Sequence, residues 1–210
     1  MSRKLVIVYV SLLATATCLA QEAATGGAAY EVYGDETSYL AAVGEVGYQS
    51  FESFPRSECS TGGPDPVTVL ETESFTVETI PVSGTSFLCT GFTDGIDPRP
   101  TDGQVALIAG SITGSPWTLT FALTGSRPAH GVAFYLTDAA ESGDAIFVLP
   151  TGERITMASC CQSSAQPIFF GIVTRRPFRS FELENTGVGD GWGIDEVMLA
   201  IGARGSTKLR

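Results

Sequence analysis

An all-β fold is predicted for this chain: an antiparallel β-sandwich of jelly-roll type with one short N-terminal helix. Three observations lead there. Past the first 20 residues no long apolar repeat follows the helical spacing of about 3.6 residues. Short runs rich in Val, Ile, Phe, Thr and Tyr recur instead, separated by Gly, Pro, Asp and Ser. Within several runs apolar and polar residues alternate, which turns one face of a strand inward and the other to solvent.

The chain opens on a targeting signal over residues 1–20. Arg3 and Lys4 supply positive charge, Leu5 to Leu13 an apolar stretch, and Cys18-Leu19-Ala20 small residues at a cleavage before Gln21. The apolar stretch is too short for a membrane span. Export is expected, with no membrane span in the mature chain. Residues 21–36 read as a flexible lead-in, 37–203 as the sandwich domain and 204–210 as a C-terminal tail. Cleavage removes two of the 12 basic residues and none of the 23 acidic ones, so 10 face 23 and the net charge is −13. That charge repels nucleic acid and anionic lipid and excludes both as partners.

Thr37 to Gly44 is the helix candidate, with Asp35 or Thr37 as its cap and Gly44 or Gly47 as its stop. Strands are expected at 48–54, 73–80, 85–90, 104–111, 116–123, 129–137, 144–149, 168–174, 178–184 and 194–201. Trp117, Leu119, Phe121 and Leu123 alternate with Thr118, Thr120 and Ala122, and Val132, Phe134 and Leu136 alternate with Ala133 and Tyr135. Ile168-Phe169-Phe170-Gly171-Ile172-Val173 has no polar position, so a central strand covered on both faces is expected.

Four cysteines remain after the leader: Cys59, Cys89, Cys160 and Cys161. An even count in an exported chain favours disulfides. Cys59 and Cys89 sit beside loop signals and would close a moderate loop, a bridge worth about 2–4 kcal/mol; the crossed pairings with Cys160 and Cys161 stay open. No Cys-x-x-Cys pair or His/Cys cluster suggests zinc.

Several fragments read together in order: Tyr39-Leu40-Ala41-Ala42, Ser50-Phe51-Glu52-Ser53-Phe54-Pro55, His130 to Asp138, Phe169-Phe170-Gly171-Ile172, and Asp190-Gly191-Trp192-Gly193-Ile194-Asp195-Glu196-Val197. This series resembles the secreted jelly-roll proteins of the bacterial PEP-CTERM-sorted type. More distantly, it is similar to the β-sandwiches of carbohydrate-binding modules, in which an early strand Glu and a late Asp share a structural calcium. Glu52 matches the first and Asp195 the second. After Ile201 no Pro-Glu-Pro motif or apolar tail follows, so free secretion is expected rather than anchoring.

The residues themselves make both carboxylates candidates. Glu52 lies between Phe51 and Phe54, and Asp195 shares strand parity with the inward Val197 and Leu199. Partly desolvated carboxylates are costly without a partner, and calcium, Ca2+, takes six to eight oxygens that turn carbonyls can help supply. The other reading has Asp195 capping a turn through backbone N–H groups while Glu52 meets an Arg. Asp190 is a further candidate ligand. Trp192, between Gly191 and Gly193, is the aromatic expected to stand exposed for a sugar ring; Trp117 follows the core-facing period, and Tyr33, Tyr48 and Tyr135 complete the aromatic candidates.

Catalytic signals are sparse. His130 is the single histidine and is expected to be structural, and no nucleophile elbow, metal-binding helix or phosphate loop is present. Thr137 to Asp144 reads as a solvated acidic loop. The expectation is a secreted, non-enzymatic binding or structural module directed at extracellular polysaccharide. The alternative is a secreted glycan-active hydrolase or lyase on the same sandwich, because two acids need only meet in space.

Overall fold

The computed structural model describes residues 29–54, 68–81, 86–91, 105–111, 115–137, 145–157, 167–187 and 192–201. The leader, most of the lead-in, Cys59, Cys160, Cys161, Asp190, the acidic loop after Thr137, the tail and the side chain of Cys89 lie outside them. The Cys59–Cys89 bridge therefore lies outside them too.

Two antiparallel sheets face each other. The larger runs β1 (Tyr30–Tyr33), β11 (Ile168–Phe178), β8 (Ala129–Thr137), β13 (Trp192–Ile201), β6 (Ala106–Ser111) and β5 (Ser86–Gly91), with β2 (Gly47–Gln49) also on β13. The smaller runs β10 (Arg154–Thr156), β9 (Ala145–Val148), β12 (Ser180–Asn185), β7 (Trp117–Leu123), β4 (Phe75–Pro81) and β3 (Val69–Glu71). This is the predicted β-sandwich. Its three additional short strands, β1, β3 and β10, lie at sheet edges.

Side-chain parity explains the core. Trp117, Leu119 and Phe121 of β7 point inward against Phe75 and Val77 of β4 and Phe181 and Leu183 of β12. Phe121 and Phe181 stack at 4.6 Å, and Phe147 stacks on Phe181 at 5.2 Å. From the larger sheet Val132, Phe134, Leu136, Phe170 and Ile172 close the other side. At about 25 cal/mol per Å² of apolar surface, each such side chain contributes about 1.5–3 kcal/mol.

The opposite face of the larger sheet is covered as well, by the helix α1 (Glu36–Val43). Asp35 caps it with an Oδ1 that accepts the Ser38 N–H at 2.8 Å, and Gly44 ends it at φ 77. At such a positive φ an L side chain is strained. Tyr39 is the helix's anchor. Its fully buried ring rests on Gly171, where an added Cβ would stand 2.9 Å from Tyr39 Cδ2. Phe169, Ala133, Val173 and Met198 surround it. The unbroken apolar run of β11 thus has both faces covered, as expected. It lies one strand in from the edge, because β1 pairs alongside it at Tyr30↔Thr174 to Tyr33↔Gly171.

Candidate functional site

Strand β13 divides its second edge between two partners. Trp192–Ile194 pair with Ala109–Leu107 of β6, and Val197–Leu199 pair with Gln49–Gly47 of β2. At the changeover the register against β8 slips between Asp195↔Tyr135 and Met198↔Ala133, so β13 holds one extra residue. Glu196 takes a φ of 53, the single positive φ among the described non-glycine residues.

This bulge corrects the parity expected of Asp195. Directly paired residues share a face, so Asp195 goes with Tyr135 on the helix side, while Val197 and Leu199 face the inter-sheet core. The side chain is fully buried nonetheless, and its Oδ1 accepts the Glu196 N–H at 2.9 Å. Glu52, in the turn after β2, is exposed, and its Oε1 accepts the Val105 N–H at 2.7 Å. Val105 lies two residues before Leu107, the partner of Ile194, so both carboxylates are anchored at one end of the β6–β13 seam.

The donors there are hard oxygens, which suit calcium rather than a transition metal. Among the described residues no group of three or more His, Cys, Asp or Glu converges, so carbonyls would have to supply most of a calcium's oxygens.

Trp192 corrects a second expectation. It is 3% exposed and packs against Trp117 with ring centroids 4.7 Å apart. The flanking glycine that suggested exposure has another cause: a Cβ on Gly193 would stand 2.5 Å from Thr137 Oγ1 and 3.2 Å from the Leu107 carbonyl oxygen. Trp117 is core, as its period predicts. His130 is buried in β8, and its carbonyl accepts the Thr174 hydroxyl at 3.2 Å.

Tyr135 lies between carboxylates. Its hydroxyl donates to Glu36 Oε2 at 2.8 Å. Burial first, then that hydrogen bond and the charges of Glu36 and Glu196, hold its phenol well above the ordinary tyrosine range. Burial does the same for Tyr39, with a smaller push from Tyr33.

Among the described aromatics Tyr48 stands most open, 50% exposed. It lies at a cleft of about 620 Å³ formed where β2 and the turn after it meet the β3–β4 hairpin, a size within the roughly 300–1,000 Å³ of small-molecule sites. Gln49, Ser50, Ser53 and Phe54 line one side, and Glu71, Thr72 and Glu73 the other. Both walls are held by named contacts. Phe51 is fully buried in the core, and the Phe54 N–H bonds back to its carbonyl at 2.9 Å. The Thr72 hydroxyl donates to the Phe75 carbonyl at 2.8 Å and accepts the Phe75 N–H at 3.0 Å, which fixes the hairpin. The Thr124 hydroxyl donates to the Glu73 carbonyl at 2.7 Å.

The outer face of the smaller sheet is of another character. Glu78, Thr118, Thr120, Glu182 and Glu184 share its outward positions with Ile80 and Ile146, without an aromatic among these. Sequence reasoning had Tyr48 among its aromatics and missed the cleft, whose two walls, 48–54 and 71–73, come from separate segments of the chain.

No protein-family model matches the chain, and no curated protein matches it. Among solved structures it is similar to a family 29 carbohydrate-binding module in two variant forms. One shares 13% identity at a TM-score of 0.41, over 74% of this chain and 94% of that one. The other, complexed with mannohexaose, shares 13% at 0.39, over 74% and 93%. The enzymatically active domain of bacteriophage CBA120 tailspike protein 4 shares 10% at 0.38, over 61% of this chain and 19% of that one. Likeness at this level assigns no ligand and no residue role.

Proposed function

We propose that this chain is an exported, non-enzymatic module that binds polysaccharide in the cleft between β2 and the β3–β4 hairpin. The observation that carries the reading is the composition of that cleft: an exposed tyrosine beside an amide, hydroxyls and carboxylates. Sugars present apolar C–H faces and hydroxyl edges together. An aromatic ring suits the first; amide, hydroxyl and carboxylate groups suit the second. Open, wet sites of this kind bind through several modest hydrogen bonds rather than deep burial.

A calcium at the β6–β13 seam belongs to the same proposal. Glu52 and Asp195 would hold it with carbonyls of the adjoining turns, and it would tie the loop after β2, which forms one cleft wall, to the central strand. Its role would be structural.

Affinity electrophoresis and calorimetry on a panel of soluble polysaccharides test the proposal. Binding is expected, and Tyr48→Ala with Gln49→Ala should weaken it while leaving thermal stability close to the parent. Failure of the whole panel to bind would overturn the reading.

One observation supports the enzymatic alternative: Glu71 and Glu73 meet the same cleft. Both are exposed, however, without the apolar surroundings that prepare a general acid. Release of reducing ends from a bound polysaccharide, abolished by Glu71→Gln or Glu73→Gln, would favour the enzyme.

A further inference from the structure

We infer that the cleft is selective for glycans bearing free amino groups, de-acetylated glucosamine chains being the simplest, and that it discriminates against uronate or sulfated chains. The inference rests on the glycan-binding reading and adds the charge class of the ligand.

The charged groups among the described residues that line the cleft are both carboxylates, Glu71 and Glu73. They flank Thr72, whose side chain is committed to the hairpin: it accepts the Ser74 N–H at 3.2 Å and the Phe75 N–H at 3.0 Å, and donates to the Phe75 carbonyl. The backbone carrying the two acids is fixed further where the Ser74 carbonyl accepts the Thr124 N–H at 3.1 Å. Neither side-chain carboxylate has an ion-pair or hydrogen-bond partner among the described residues. Two negative charges are thus presented to one ligand-sized space from a rigid turn, with little ordering cost left when a cation arrives.

The opposite wall suits the same ligand. Tyr48 lines the cleft at its β2 end; paired with Met198, it shares the helix-side face of the larger sheet and stands half-exposed at the cleft's margin. An aromatic face attracts an ammonium group through its quadrupole as readily as it packs on a sugar face. Gln49, Ser50 and Ser53 supply hydroxyl-compatible donors and acceptors between rim and carboxylates. A neutral glycan could use Tyr48 and the hydroxyls but would leave the two charges unanswered. A uronate or sulfated chain would meet like charge at the cleft, on a chain whose net charge is −11. An amino glycan answers all three features.

The effect is readable in affinity. Exposed charge pairs are individually weak, so two of them together amount to about tenfold in Kd, and salt should erode it. The test is calorimetry of the full chain with the glucosamine hexamer and the N-acetylglucosamine hexamer, at mildly acidic pH and at low and high salt. The amino form should bind about tenfold tighter at low salt, with the gap closing at high salt. The Glu71→Gln/Glu73→Gln double variant should lose that gap, its affinity for the amino form falling about tenfold further than its affinity for the acetylated form. A control variant, Glu31→Gln/Glu45→Gln, removes equal charge from exposed positions elsewhere and should keep the gap.

Equal affinity for the two hexamers, or a gap untouched by the cleft variant, would overturn the selectivity and leave glycan binding standing. A gap lost equally in the control variant would reduce it to the charge of the whole molecule and overturn it as a property of the cleft. Tighter binding of polygalacturonate than of the amino hexamer would also overturn it. Binding of no glycan at all would take the wider reading with it.

Discussion

Replacing Gly171 with alanine adds one methyl group where the helix meets the sheet. The site has an ordinary strand backbone, paired to Ala133, so alanine should gain about 0.4–1 kcal/mol through the unfolded chain. Against that stand the contacts: the new Cβ would lie 2.9 Å from Tyr39 Cδ2 and 3.0 Å from Phe169 Cε1. Both rings are buried, at 0% and 8% exposed, so neither can swing into solvent. Overpacking of this sort costs about 1–3 kcal/mol. A net loss of about 1–2 kcal/mol is expected, or a Tm lower by about 2–8 °C for a domain of this size. Calorimetric unfolding measures it. The same substitution made on Tyr39→Ala, itself worth about 3–5 kcal/mol, should cost clearly less, because the nearer ring is gone and Phe169 can move into its space. A Gly171→Ala protein as stable as its parent, or an equal loss in both backgrounds, would refute the claim that Tyr39 docks the helix on this glycine.

The two buried-side phenols set an alkaline limit. Burial first raises Tyr39 and Tyr135 above their ordinary value near 10, so their contribution is complete below about pH 10 and is lost as pH rises beyond it. A Tyr39→Phe/Tyr135→Phe variant should show a flatter decline of Tm above that pH; an unchanged slope would sink the assignment. Chelation should lower the Tm if calcium sits at Glu52 and Asp195, since a free concentration a hundredfold above Kd stabilises by about 2.7 kcal/mol. A melt indifferent to chelator would leave the carboxylates as backbone caps. Trp192→Ala should cost about 3–5 kcal/mol of stability and leave glycan affinity unchanged per folded molecule; selective loss of binding would contradict its burial. Mass spectrometry of exported protein should show a chain beginning near Gln21 with at least two thiols protected from alkylation, and four reactive thiols would exclude a disulfide.

Much of the fold was legible because alternation survives in the sequence wherever a strand has one dry face. Trp117 to Phe121 and Val132 to Leu136 read correctly for that reason. The helix declared itself through Asp35 and Gly44, a cap and a positive-φ stop. Edge strands did not. Val69–Glu71 and Arg154–Thr156 are three residues each, too short to display a period, and Tyr30–Tyr33 is recruited by pairing with β11 rather than by its own pattern. At Asp195 the rule itself failed, because one extra residue reverses every side chain beyond it and nothing in Ile194-Asp195-Glu196-Val197 announces the slip. Gly193, beside Trp192, was misread for a related reason. A glycine can mean a turn or a tight backbone approach, and only the position of Thr137 decides between them. The cleft is a product of distant segments, so its walls could not be paired from one sequence.

The divided edge of β13 also dictates an order of events. Its residues, 192–201, hold together strands that begin at 47, 106 and 129, and among the described strands it comes last in chain order. Until it arrives, β8 lacks one neighbour, β6 and β2 have no place in the sheet beyond the β5–β6 hairpin, and the wall of the cleft that follows β2 has nothing to stand on. A chain emerging from its N-terminal end can pair the smaller sheet and the β8–β11–β1 side of the larger one before β13 arrives, but not the side that carries β6 and β2. Topologies of this kind close slowly and leave strand edges open in the interval. The cleft, lined by segments early in the chain, keeps its β2 wall in the sheet only through β13.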